Sequence, residues 1–173
     1  MATGKSHVGR VLCGKTGWPL VDADDEIVQR AGKPIQLIFD DDGETYFRDL
    51  ERLVIADLCA GSQQIISAGG GAFVDAANRM LMLISGLVIC LSATPETIFS
   101  RVGAGKGDTG PLRPLLVGDN LEDNPLDRIK SLLAQRTDVY SQAHHTIETD
   151  SLTPQQVGER ILELCKFKNL SGE

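Results

Sequence analysis

Short apolar runs alternate along the chain with stretches in which apolar residues recur every three or four positions. Four runs read as strands: Pro19-Leu20-Val21, Gln64-Ile65-Ile66-Ser67, Leu87-Val88-Ile89-Cys90-Leu91 and His145-Thr146-Ile147-Glu148-Thr149. The third is apolar throughout, which suits a strand covered on both faces of a parallel sheet. Between the runs, Val8, Val11 and Leu12 form one face of a first helix that Gly17 can end. Phe47, Leu50, Val54 and Leu58 repeat at helical spacing ahead of Gly61. Thr94-Pro95, Asn124-Pro125 and Thr153-Pro154 each read as a cap followed by proline at the first helical position. The second of these opens a helix through about Gln142, and the third opens a last helix with Val157, Ile161 and Leu164 facing inward. Strands alternating with helices predict an α/β fold with a parallel sheet. No internal repeat or linker divides residues 1–173, so a single domain is expected.

Composition narrows the function classes. Lys+Arg number 17 against 24 Asp+Glu, a net charge of −7. That argues against a nucleic-acid or membrane-surface binder, which needs a basic excess, but leaves room for a small anion held by a few cations. The four cysteines form no CxxC pair, which disfavours both a zinc site and a disulfide scaffold. No apolar run approaches the ~20 residues of a membrane span and no signal peptide is visible, so a cytoplasmic protein is expected; it is also expected to be a monomer. Cysteines as small core residues and Trp18 packed at a strand entry complete this reading. His144-His145 is not read as a metal site, and Asp40-Asp41-Asp42 reads as a solvated turn.

The chemistry begins at Ala2-Thr3-Gly4-Lys5-Ser6-His7, which opens directly into the first helix. Gly-Lys-Ser at a helix start is the second half of G-x-x-x-x-G-K-[ST], where backbone N–H groups cradle phosphates. Lys5 would reach the β/γ-phosphates and the Ser6 hydroxyl would ligate Mg²⁺. Alone, the tripeptide could equally be an exposed basic turn. Asp22-Ala23-Asp24 follows the first strand, and period-2 geometry would set both carboxylates on one side of its end. One could order a water on Mg²⁺ while the other takes a hydrogen bond from an attacking hydroxyl, or Asp24 could simply cap the next helix.

Arg48 lies off the apolar face of its helix and could grip a carboxylate through two parallel bonds, or pair with Glu44 or Glu51. Gly69-Gly70-Gly71 sits just past the second strand, at the edge where ligands of open α/β sheets bind, and would let backbone approach a small polyol. Arg136, late on the long helix, is either a second carboxylate ligand or a solvated cation. Gly103 to Glu122, with five glycines and two prolines around Arg113-Pro114-Leu115-Leu116, reads as a lid.

Together these features resemble shikimate kinase, a family of small P-loop kinases. The resemblance is carried by ATGKS with Val8-Gly9-Arg10, Val21-Asp22-Ala23-Asp24, and Ile38-Phe39 with Gly43-Glu44-Thr45-Tyr46-Phe47-Arg48. It continues through Ser67-Ala68-Gly69-Gly70-Gly71-Ala72, the RPLL run and Arg136 with Tyr140, spanning residues 2 to 162. It implies a three-layer α/β/α P-loop kinase fold and MgATP-dependent phosphorylation of the 3-hydroxyl of shikimate, on the way to aromatic amino acids. On that resemblance Ala2 to His7 and Arg113 bind ATP, and Asp24 engages the reacting hydroxyl. Arg48 and Arg136 hold the carboxylate, Gly69 to Gly71 line the ring, and Asp22 supports Mg²⁺ through water. Arg113 would neutralise the transferring phosphate, and the Thr149–Pro154 loop falls where the family packs adenine.

The first glycine of the phosphate motif would fall five residues before Gly4, ahead of Met1. The first, central strand is therefore expected to be missing, leaving two half-sheets unjoined, so that either the natural protein starts upstream of Met1 or this chain is expected to be unstable and nearly inactive. The rival readings are a gluconate-type kinase and a truncated, non-catalytic remnant that binds a ligand or partner.

Overall fold

A computed structural model describes residues 2–103 and 124–170. The expected lid, apart from Gly103, lies outside the described residues together with Arg113. The elements run α1 (Lys5–Thr16), β1 (Leu20–Asp22), α2 (Ala23–Ala31), α3 (Ile35–Asp41), α4 (Gly43–Ala60), β2 (Ile65–Ser67) and α5 (Ala76–Ser85). They continue with β3 (Ile89–Ser92), α6 (Pro95–Gly103), α7 (Pro125–Tyr140), β4 (His145–Glu148) and α8 (Pro154–Leu170). β1 pairs parallel with β2, Leu20 opposite Ile65, and β3 pairs parallel with β4, Ile89 opposite His145. Among the described residues these are two separate two-stranded sheets, as the sequence predicts.

The helix ends follow local chemistry. Gly17 closes α1 with φ 74°, a left-handed conformation that costs glycine little. Asn124 Oδ1 accepts from the Leu126 N–H at the start of α7. At the start of α8, Thr153 Oγ1 accepts from the Gln156 N–H while Gln156 Oε1 accepts from the Thr153 N–H, a reciprocal capping box.

Three apolar clusters hold the elements. Ala23, Ile27, Ile38, Phe47, Val54, Ile55 and Ala72 join α2, α3 and α4 to the segment after β2. Val8 and Leu12 of α1 meet Val157 and Ile161 of α8 over Ile147 of β4, with Ile65 of β2 and Ile89 and Leu91 of β3 packed against them. α1 thus spans the two half-sheets through side chains rather than backbone ladders. Gly9 makes this approach possible, since a methyl group there would stand 2.7 Å from Leu20 Cδ1. Ala93, Ile98 and Ile129 join α6 to α7.

Several expectations are corrected. β3 is half-buried rather than covered on both faces, because only one of its edges carries a partner among the described residues. Residue 23 already begins α2, so strand alternation does not govern Asp22 and Asp24. Asp40 and Asp41 belong to α3, and Lys33 pairs with Asp41 and Asp42. Trp18 is 42% exposed, and the four cysteines are half-buried.

Candidate active site

The Gly69–Gly71 loop leaves β2 between two anchors, with Ser67 buried on one side and Ala72 and Phe73 on the other. The Ala72 N–H donates to Gly69 O at 3.1 Å and the Val74 N–H to Gly71 O at 3.0 Å, which fixes the turn. Two arginines from distant helices converge on it. A methyl group on Gly71 would stand 2.8 Å from Arg48 Nη1, and one on Gly70 would stand 3.5 Å from Arg136 Nη1. A side chain on Gly71 would displace the Arg48 guanidinium, and one on Gly70 would meet the Tyr140 hydroxyl at 2.8 Å, so glycine at both positions lets these groups approach the loop.

Arg48 is held from three sides. Its Nη1 donates to Glu51 Oε2 at 2.9 Å, and its Nε and Nη2 donate to Glu44 Oε1 at 3.2 and 3.1 Å. Its guanidinium carbon lies 5.1 Å from the centre of the Phe47 ring, within cation–π range. Both alternative pairings of Arg48 therefore exist beside its approach to the glycine loop. Glu51 is buried, and that burial pushes its carboxyl up, against the opposing pull of Arg48. The charges of Asp24 and Asp75 push in the same direction as burial, so Asp24 shares an electrostatic environment with the Arg48–Glu51 pair.

Arg136 is secured through Tyr140, one turn further along α7. The Tyr140 hydroxyl donates to Gly70 O at 3.0 Å, and Arg136 Nη1 reaches that hydroxyl at 3.5 Å. Tyr140 and Glu51, both named in the sequence beside their arginines, are the residues that support the two guanidinium groups. Their positions four residues after Arg136 and three after Arg48 are the available signal, since such pairs meet on one helix face.

At the phosphate end, Gly4 precedes α1 with φ 91° and no side chain caps the helix. Thr3 is buried, Lys5 and Ser6 are half-buried in the first turn, and His7 is exposed. This is the geometry of a helix N-terminus able to take an anion. Asp22, at the end of β1, accepts from the Asp24 N–H through Oδ1 at 3.0 Å. The cap of α2 is therefore Asp22, not Asp24, which leaves the Asp24 side chain outside the capping role.

Arg101, which belongs to no motif in the sequence, ties this end together. Its Nη1 donates to Ala2 O at 3.3 Å and its Nη2 to Thr149 O at 3.2 Å. Next to it, Asp150 accepts from the Thr94 hydroxyl at 2.6 Å and the Thr94 N–H at 3.0 Å. The Thr94 and Thr97 hydroxyls and the Thr94 N–H hold its carboxyl down at about 2. The loop after β4 is thus fastened to the start of α6 and to the phosphate loop.

A family model described as shikimate kinase matches residues 1–166. The chain is 37% identical over 172 residues to the shikimate kinase of Thermodesulfovibrio yellowstonii, covering 99% of this chain and 93% of that one. It is 40% identical over 173 residues to the shikimate kinase of Symbiobacterium thermophilum, with 99% and 95% covered. Among solved structures it is similar to the Acinetobacter baumannii shikimate kinase in complex with shikimate, with a TM-score of 0.86 and 32% identity over 99% of this chain and 91% of that one. The Aquifex aeolicus shikimate kinase superposes with a TM-score of 0.78 and 30% identity, over 99% and 95% of the two chains. Two arginines brought to one glycine loop, on a P-loop kinase fold shared with these structures, agree with the match along nearly the whole length: the chain belongs to the shikimate kinase family.

Proposed function

We propose that this chain carries out its family's reaction, ATP-dependent phosphorylation of shikimate, at the Gly69–Gly71 loop. The observation that carries the assignment of the site is the convergence of Arg48 and Arg136 on adjacent glycines. Two cations flanking the half-buried backbone of Gly70 and Gly71 suit a small polyol bearing one carboxylate. Asp24 takes the hydrogen bond of the 3-hydroxyl and Gly69 to Gly71 line the ring. The half-buried first turn of α1 receives the ATP phosphates, with Lys5 as the principal cation and Ala2, Thr3, Gly4, Ser6 and His7 around them. Arg113 is assigned to the transferring phosphate on the family resemblance alone.

Mg²⁺ fits the donor set in the manner usual for this ion, which keeps several waters and takes one or two protein oxygens plus phosphate. No cluster of three or more His, Cys, Asp or Glu that could hold a metal exists among the described residues. Ser6 and Asp22 are the residues that would hold it, Asp22 through water, since one of its oxygens is occupied by the Asp24 N–H. When bound, the ion neutralises phosphate charge. Phosphoryl transfer depends on positioning and charge neutralisation more than on covalent chemistry, which a few placed cations supply.

No helix among the described residues is long and apolar enough to cross a membrane, and we read the protein as a cytoplasmic monomer. The test is an ADP-release assay with shikimate and gluconate as acceptors. Release stimulated by shikimate supports the reading, and stimulation by gluconate alone overturns it. An Arg48→Ala variant is expected to raise KM for shikimate tenfold or more, a loss of about 1.4 kcal/mol or above. An unchanged KM removes Arg48 from the site.

A further inference from the structure

Arg48 holds two carboxylates of very different standing. The Glu51 side chain is 3% exposed and takes a single bond from Nη1. The Glu44 side chain is 63% exposed and takes both Nε and Nη2 on one oxygen, Oε1. The Nε–Nη2 edge is one of the two edges through which a guanidinium forms a paired bond with a carboxylate. Glu44 therefore occupies a substrate-type position on the arginine, but with one oxygen where a bound carboxylate would use two.

We propose that Glu44 is a displaceable stand-in for the substrate carboxylate. It holds the Nε–Nη2 edge of Arg48 while the site is empty and yields that edge when shikimate binds, whereas Glu51 keeps Nη1 throughout. The proposal rests on the reading that Arg48 receives the substrate carboxylate. The asymmetry follows from solvation. An exposed carboxylate returns to water at little cost, because exposed ion pairs contribute little net stability. Releasing Glu51 would strand a buried charge, which is far more costly. The first-turn position of Glu44 in α4 adds a reason for it to stay near the helix start when displaced, since a carboxylate there is favoured by the N-terminal dipole.

Glu44 then competes with the substrate, and removing its charge should tighten binding. Titration calorimetry with shikimate and steady-state assays on Glu44→Gln are expected to show Kd and KM for shikimate falling about two- to fivefold, the range set by an exposed ion pair. KM for ATP should not move, and kcat should change less than twofold. In an Arg48→Ala background the Glu44→Gln change should have no effect on shikimate affinity, because the contested edge is gone. A rise or no change in KM for Glu44→Gln, while Arg48→Ala raises it tenfold, overturns the stand-in role and leaves the functional reading intact. A gain that persists in the Arg48→Ala background also overturns it, since Glu44 would then act through its field rather than through Arg48. An Arg48→Ala variant with unchanged KM removes the reading on which the proposal rests, and the proposal with it.

Discussion

Arg48 Nη1 donates to Glu51 Oε2 across 2.9 Å, and the carboxylate it meets is almost wholly buried. A guanidinium anchored at one corner loses the rotational freedom that a long side chain otherwise carries into binding. On the proposed reading of Arg48, Glu51 positions the guanidinium, and its replacement should be felt in substrate affinity before turnover. Glu51→Gln keeps an acceptor for Nη1 but loses the charge, and KM for shikimate is expected to rise about threefold to tenfold, in the range of a charge-assisted hydrogen bond. Glu51→Ala should in addition lower stability by about 1–3 kcal/mol, since it removes one partner of a largely buried pair. Denaturant midpoints alongside KM separate the two effects; a Glu51→Gln variant with a wild-type KM rules out the positioning role.

The glycine loop offers a substitution that should injure function more than folding. In Gly71→Ala the new methyl group would meet Arg48 Nη1 at 2.8 Å, the far end of a flexible side chain that can swing aside. The melting temperature should stay within about 2–4 °C of wild type, the shift expected for under 1 kcal/mol at this chain length. KM for shikimate should rise at least tenfold as the guanidinium is displaced. Retained affinity would mean that Arg48 tolerates relocation, and with it that the close approach has no role.

Tyr140 joins Arg136 to the opposite side of the same loop. Tyr140→Phe deletes the hydroxyl that donates to Gly70 O at 3.0 Å and that Arg136 Nη1 approaches at 3.5 Å. The expected loss is about 0.5–1.5 kcal/mol, that of one neutral hydrogen bond. Thermal unfolding reads this loss. A higher KM for shikimate without a change for ATP would place the effect at the glycine loop.

Asp150 provides a pH signature away from the Gly69–Gly71 loop. Its carboxyl is held down at about 2, against an ordinary value near 3.8, by Thr94 and Thr97. A lowered acid contributes stability that is fully present above its unfolded-state value and fades as pH falls through its folded-state value. Fastening of the β4–α8 loop to α6 should accordingly weaken between about pH 4 and pH 2. Protection of the Thr94 amide in hydrogen exchange is expected to fall across that interval in the wild type. In Asp150→Asn the protection should be low and independent of pH; a pH-dependent loss persisting in that variant would assign the effect to another group.

Much of the scaffold is legible in residue order because it depends on neighbours. Gly17 ends α1, and Asn124-Pro125 and Thr153-Pro154 begin α7 and α8, since caps involve residues only two to four positions apart. The phosphate tripeptide at the start of α1 and the glycines after β2 were likewise visible, as a motif and as a run. α3 is not announced by periodicity because it is only seven residues long and ends in Asp40 and Asp41, and α5 because its apolar residues Met80 to Ile84 form an unbroken run, which periodicity alone does not assign to helix or strand. Strand alternation does not relate Asp22 to Asp24, because α2 already begins at Ala23 between them.

By itself the sequence determined which residue types were available and where the chain could turn: an arginine on α4, another on α7, three glycines after a strand, and a net acidic exterior. Only the tertiary structure decided that the two arginines meet the same loop. It also decided that Glu51 is buried beneath one of them while Glu44 stays in water, and that Arg101 closes on Thr149. Tyr140 and Gly70 are separated by 70 positions, and Arg101 and Thr149 by 48. Contacts at such range are set by how apolar faces pack, because burial is non-directional and decides which polar groups are carried together. Local spacing records which side chains share a helix face, not which distant backbone that face will meet.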